Sequence, residues 1–154
     1  MLTVFDVARH ILGTTDGSMS AMKLQKLCYY CQAWTLALEG EPLFNEDFLR
    51  WDAGPVCYEL FDLHRGLYYV SSGALFGDKG LPPDVEMPVS KDEIIEEVLD
   101  NYMEFQGFEL SKMTHEEDPW KNTPRNGVIT KESMKNYYST RAKQSNGLVK
   151  REIS

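Results

Sequence analysis

Apolar residues recur at helical spacing over most of this chain, and glycines and prolines interrupt the pattern. Val4, Val7, Ala8, Ile11 and Leu12 predict a first helix over 3–12. Thr3 and Asp6 stand in capping-box form at its start, and Gly13 marks its stop. A longer helix is expected from Ser20 to Glu39, ended by Gly40. Leu24, Leu27, Cys28, Cys31, Trp34 and Leu38 form one apolar stripe, and Met22, Tyr30, Ala33 and Ala37 make the far side apolar too. A helix apolar over most of its circumference belongs at the centre of a fold, so this segment is expected to be the spine.

The middle of the chain is less periodic. Phe48 to Trp51 reads as a short strand. Gly54-Pro55 reads as a sharp turn, with Pro55 in the first turn of a helix over 56–65 that stops at Gly66. Residues 66–89 are rich in glycine and proline and read as a long surface loop, with a short strand at 68–70. Ser90 and Glu93 form a capping box that opens a helix to Phe105, with Gly107 closing it. A helix over 108–115 precedes Asp118-Pro119, Asn126-Gly127 makes a tight turn, and Thr130 caps a last helix to Thr140. The expected fold is mainly α, a single compact domain over 1–142 of five to six helices with one short β element. A flexible polar tail is expected over 143–154.

Charge narrows the class of partner. The net charge is −8, and between Lys91 and Asp118 ten acids face only Lys91 and Lys112. Phosphate neutralisation dominates nucleic-acid affinity, so nucleic acid is not an expected partner, and a basic protein surface suits the balance better. Read as a helix face, the acid run is solvated. No run of 18 apolar residues spans a membrane, and Asp6, Arg9 and His10 break any signal-peptide pattern at the start. The three cysteines, Cys28, Cys31 and Cys57, point to a reducing cytoplasm.

Candidate chemistry is sparse. Cys28-x-x-Cys31 has the spacing of a redox pair or half a metal site, but both residues fall on the apolar stripe of the spine and behave there as small hydrophobes. No phosphate-binding loop, nucleophile elbow or dinucleotide motif occurs, so no catalytic residue, metal or cofactor is expected. An enzyme built on His115 with a cysteine or a carboxylate is the weaker alternative. Lys23 and Lys26 occupy the first turns of the spine helix, where the dipole disfavours cations, and they share a side with Tyr30. That misplacement points to a site or a buried partner. Thr114 to Trp120 is the densest polar and aromatic cluster, with a Trp able to anchor a partner.

Three segments together resemble a known family. They are Met22 to Trp34, which contains Lys23, Lys26, Tyr30 and Trp34; Trp51 to Val56, with Gly54 and Pro55, followed by His64; and Leu110 to Trp120, with Thr114, His115, Pro119 and Trp120. In order and spacing they are similar to the Panacea (SocA-like) antitoxin domain of bacterial and prophage toxin–antitoxin pairs. The resemblance implies a helical domain that neutralises a cognate protein toxin, encoded nearby, by direct binding. The alternative is an adaptor that delivers the bound toxin to a protease, with the polar tail as its tether. The family carries small or aliphatic residues where this chain has Cys28 and Cys31, which favours a packing role for both. The spine-helix N-terminus and the 114–120 segment are the expected docking elements.

Overall fold

A computed structural model of the protein describes residues 1–15, 17–77 and 85–145. Among these residues there are eight helices and five short strands, more of each than the periodicity suggests. The helices are α1 (Val4–Thr14), α2 (Ala21–Glu39), α3 (Tyr58–His64), α4 (Ser72–Phe76), α5 (Val89–Tyr102), α6 (Gly107–His115), α7 (Asp118–Lys121) and α8 (Lys131–Ser145). The strands are β1 (Ser18–Ser20), β2 (Phe48–Trp51), β3 (Gly54–Cys57), β4 (Tyr69–Ser71) and β5 (Val128–Ile129).

The spine is α2. Ser20 caps it by accepting a hydrogen bond from the Lys23 backbone N–H at 3.1 Å, and Gly40 ends it at φ 79°, a left-handed conformation that glycine adopts without strain. Its buried residues run without a break from Leu24 to Leu36. Helices α1, α3, α5, α6 and α8, together with β1 and β3, pack around it. The capping box of Thr3 and Asp6 forms at the start of α1. That helix continues through Gly13 to Thr14, because an exposed glycine weakens a helix by only about 1 kcal/mol.

Two small antiparallel sheets flank the spine. One is β1–β4; the other has the order β3–β2–β5. Gly54 and Pro55 therefore do not start a helix. The turn lies at Asp52 and Ala53, and β3 pairs Pro55 against Arg50 and Cys57 against Phe48. Proline is tolerated because β3 is an edge strand. The side chain of Gln25 fixes the strand further by accepting from Cys57 N at 2.9 Å and donating to Cys57 O at 3.1 Å. The helix that follows starts only at Tyr58.

Within the expected loop over 66–89, the short strand expected at 68–70 forms as β4, and α4 is an unexpected helix after it, with residues 78–84 outside the described set. Ser90 is not the cap of α5: the helix begins at Val89, after the extended Pro88. Gly107 opens α6 instead of closing α5, which ends at Tyr102. Thr130 does cap α8, accepting from Ser133 N at 3.1 Å. That helix runs past Thr140 to Ser145, and the rest of the expected tail, 146–154, lies outside the described residues. No helix among the described residues is long and apolar enough to cross a membrane.

Candidate functional site

The three motif segments meet at Gly54. Its φ is +111°, a conformation side chains rarely adopt, and a Cβ there would lie 2.6 Å from Lys26 Cε and 3.1 Å from Thr114 Oγ1. The bare glycine thus lets β3 sit directly on the Lys26 side chain of α2 and on α6. Lys23 and Lys26 diverge. Lys23 is half-buried and donates from Nζ to the Met103 carbonyl at 2.5 Å, while Lys26 is wholly buried. The Lys26 ammonium lies against Gly54 and beside Thr114. Burial lowers its pKa to about 7, so near neutrality much of this lysine is uncharged.

Both motif histidines surround this amine. His64 is buried, lies 3.1 Å from Gln25 Nε2, and has its pKa lowered by burial and by the Lys26 charge. His115 is likewise shifted down, by burial first and then by Lys26, against a hydrogen bond to the Asp52 backbone. Its ring stacks on Trp120 at 4.0 Å, and its Nε2 is buried without a hydrogen-bond partner. The other motif aromatic, Trp51, accepts at its carbonyl from Trp120 Nε1 at 2.9 Å. The Arg50 guanidinium lies 3.9 Å from the Trp120 ring centroid, a cation–π contact. Ser111 Oγ donates to the Ala53 carbonyl at 2.5 Å. The β2–β3 hairpin is thereby clamped onto α6 and α7, and Pro119 is buried beneath it.

A second cluster continues along the spine. The hydroxyls of Tyr30 and Tyr138 both donate to Glu117 Oε1, at 2.9 and 2.6 Å. Tyr30 stacks on Tyr102 at 4.0 Å with 9° between the rings, and Trp34 Nε1 donates to the Tyr102 hydroxyl at 3.0 Å. Burial raises the pKa of Tyr29, Tyr30 and Tyr138, with Glu117 adding to the effect. The motif residues Lys26, Tyr30, Trp34, Gly54, Pro55, His64, Thr114 and Pro119 are therefore interior groups that fasten the spine to its neighbours. Lys23, Trp51, His115 and Trp120 reach partway to the surface.

The periodicity leaves several organising residues unmarked. Gln32 accepts from the Leu43 and Phe44 amides, at 2.7 and 3.3 Å, and donates to the Phe44 carbonyl at 2.7 Å, as Gln25 does for Cys57. These two glutamines are seven residues apart on a helix apolar nearly all round, and that spacing is the signal in the sequence. Glu117 sits among the acids of a solvated run, yet it is 4% exposed. Its place at the α6–α7 junction carries no periodic signal.

The cysteines make no shared site. All three are free and buried, and burial raises each thiol pKa, that of Cys57 to about 12. Among the described residues, no group of three or more His, Cys, Asp or Glu is placed to hold a metal ion.

The exposed apolar surface concentrates elsewhere. Tyr68 is 73% exposed, Tyr69 67% and Phe108 57%, and Met22 lies beside them on the first turn of α2. No curated protein and no solved structure matches the chain. A family model described as "Antitoxin SocA-like, Panacea domain" matches residues 24–121. That span takes in the spine helix, the β2–β3 hairpin with α3, and α6–α7, the three segments that converge on Gly54. With more than half of its 154 residues matched, the chain belongs to the SocA-like, Panacea-domain antitoxin family.

Proposed function

We propose that the protein neutralises a cognate toxin by binding it directly, and that it is not itself an enzyme. Family membership supports the antitoxin role. The observation that carries direct binding is the exposed cluster of Tyr68, Tyr69 and Phe108 on a domain that buries Tyr29, Tyr30, Trp34, Tyr102 and Tyr138. Exposed tyrosine and phenylalanine gathered in one patch are characteristic of protein interfaces.

The titratable motif residues support the non-catalytic reading. Burial pushes the pKa of the Cys57 thiol up to about 12, and the Glu59 carboxylate, with Oε1 3.6 Å from its Sγ, adds to the effect. His115 is stacked on Trp120, and its Nε2 is buried, shut off from a substrate's proton. Three free thiols suit a reducing cytoplasm.

Co-expression with the product of the adjacent gene tests the proposal. The expected result is growth arrest by that product alone and relief when this chain is present, with the two proteins co-purifying. Toxin half-life, followed with and without residues 146–154, separates occlusion from delivery to a protease. An unchanged half-life supports occlusion. Arrest that this chain does not relieve overturns the antitoxin role.

A further inference from the structure

Two grooves join at the N-terminal end of the spine. One, of about 700 Å³, runs between α1 and α5; the other, of about 370 Å³, lies between β4 and the start of α6. Both are lined by Ser18, Met19 and Lys23, so they adjoin there and together are treated as one channel. Its two ends differ in chemistry.

The α5 side carries Asp92, Glu96 and Asp100, spaced four residues apart and so aligned on one helix face. Ile95, Leu99 and Met103 line the same groove with apolar surface. Among the described residues the groove's basic side chains are Lys23, whose ammonium is turned to the Met103 carbonyl and lies near Glu109, and His10, whose Nε2 is 2.8 Å from Asp92 Oδ1. Glu96 and Asp100 line the same groove and are exposed. The far end is walled by Tyr68, Tyr69, Phe108 and Met22.

The fold holds this aromatic end in place. The Ala21 N–H donates to the Tyr68 carbonyl at 2.7 Å, and β4 pairs with β1 through Tyr69 and Ser20. A Cβ on Gly107 would lie 3.0 Å from both Lys23 N and Ser20 Oγ, so the glycine lets the start of α6 carry Phe108 up to the start of α2. Anchored side chains lose less freedom on binding, which favours affinity.

We infer that this channel is where the toxin docks, and that it takes a short amphipathic toxin segment with lysines or arginines at one end and a bulky apolar side chain at the other. The basic end lies along Asp92, Glu96 and Asp100, and the apolar residue enters between Tyr68, Tyr69 and Phe108. Charge complementarity selects this occupant: an acidic segment, or a nucleic-acid backbone, meets like charge along α5. The inference rests on the antitoxin reading for the partner's identity but not for its chemistry, so the two can fail separately.

Fluorescence anisotropy on the full chain tests the chemistry. The probes are a labelled synthetic peptide in which a lysine cluster precedes a Trp-Leu pair, its glutamate analogue, and a labelled single-stranded oligonucleotide. The lysine peptide is expected to bind at least about tenfold tighter than the other two, and to weaken with added salt. Two double variants, Glu96→Lys with Asp100→Lys and Tyr68→Ala with Phe108→Ala, should each weaken it about tenfold or more. Arg125→Glu, an exposed change at the far hairpin, should not. All substituted positions are exposed, and unchanged thermal melts confirm folding.

Equal binding of the lysine and glutamate peptides, no binding of the lysine peptide, or indifference to both double variants overturns the inference. In the growth assay, relief by the wild-type chain that both double variants retain also overturns it, while leaving the antitoxin role intact. Absence of relief by the wild-type chain overturns that role alone, because the peptide measurement still decides the chemistry of the channel.

Discussion

Lys26→Met isolates the most unusual group in the fold. Burial takes the lysine from an ordinary pKa of 10.5 to about 7. Between those two values the unfolded chain binds a proton that the folded chain does not, so stability rises with pH across the interval. Below about pH 7 both states are protonated, and the full cost of burying the ammonium remains. The 3.5-unit difference corresponds to about 4 kcal/mol at neutrality and about 1 kcal/mol by pH 9.5, at 1.36 kcal/mol per unit. Methionine has similar length and no charge, and such a swap costs less than about 1.5 kcal/mol in packing.

Urea unfolding of both proteins, followed by circular dichroism at steps from about pH 7 to about pH 9.5, measures the difference. The Met variant should be the more stable by roughly 3–4 kcal/mol at neutrality, with the gap closing to about 1 kcal/mol or less at the alkaline end. Ionisation of the cysteines and tyrosines destabilises both proteins alike and cancels in the comparison. A gap that does not change with pH, or a Met variant less stable throughout, refutes the reasoning. Either result would mean that the fold stabilises the ammonium.

Three other outcomes follow from the same packing. Gly54→Ala combines left-handed strain with a clash against Lys26 Cε and should cost about 2–4 kcal/mol in a denaturant titration. Adding Lys26→Ala should recover the clash but not the strain, a non-additivity that a double-mutant cycle resolves. Tyr138→Phe removes the 2.6 Å hydrogen bond to Glu117 and should lower stability by about 1–3 kcal/mol, seen as a lower Tm. Cys28, Cys31 and Cys57 should resist a thiol reagent at pH 8 in the native protein and all react in urea; rapid native labelling would contradict their burial and raised pKa values.

What could be read from the sequence was local. The spine helix, its Ser20 cap and its Gly40 stop are set by residues within one turn of each end, and all are visible in the order of side chains. The strand Phe48–Trp51 also shows as a short apolar run. Gly54-Pro55 misleads because its local signal is that of a helix start. What decides its conformation is distant: Gln25, 32 residues away, bonds both backbone groups of Cys57. Lys23 and Lys26 show the same limit. Both are cations at a helix N-terminus, but three residues rotate the second towards Gly54 and Thr114, while the first stays near the rim. The motif residues were recognisable as a set, yet only the packing reveals that most of them face inward. The short strand at Tyr68 and Tyr69 was legible, but the aromatic patch was not, because it depends on β4 pairing with β1 and on α6 bringing Phe108 alongside.

The central claim is that this domain works by holding another protein. Isothermal titration of the purified chain with the purified product of the adjacent gene measures that directly. The account requires a saturable complex that weakens as salt is raised and that the Glu96→Lys, Asp100→Lys double variant disrupts. A toxin that stays silent in cells containing this chain, yet shows no heat of binding and no complex with it in vitro, would contradict the account.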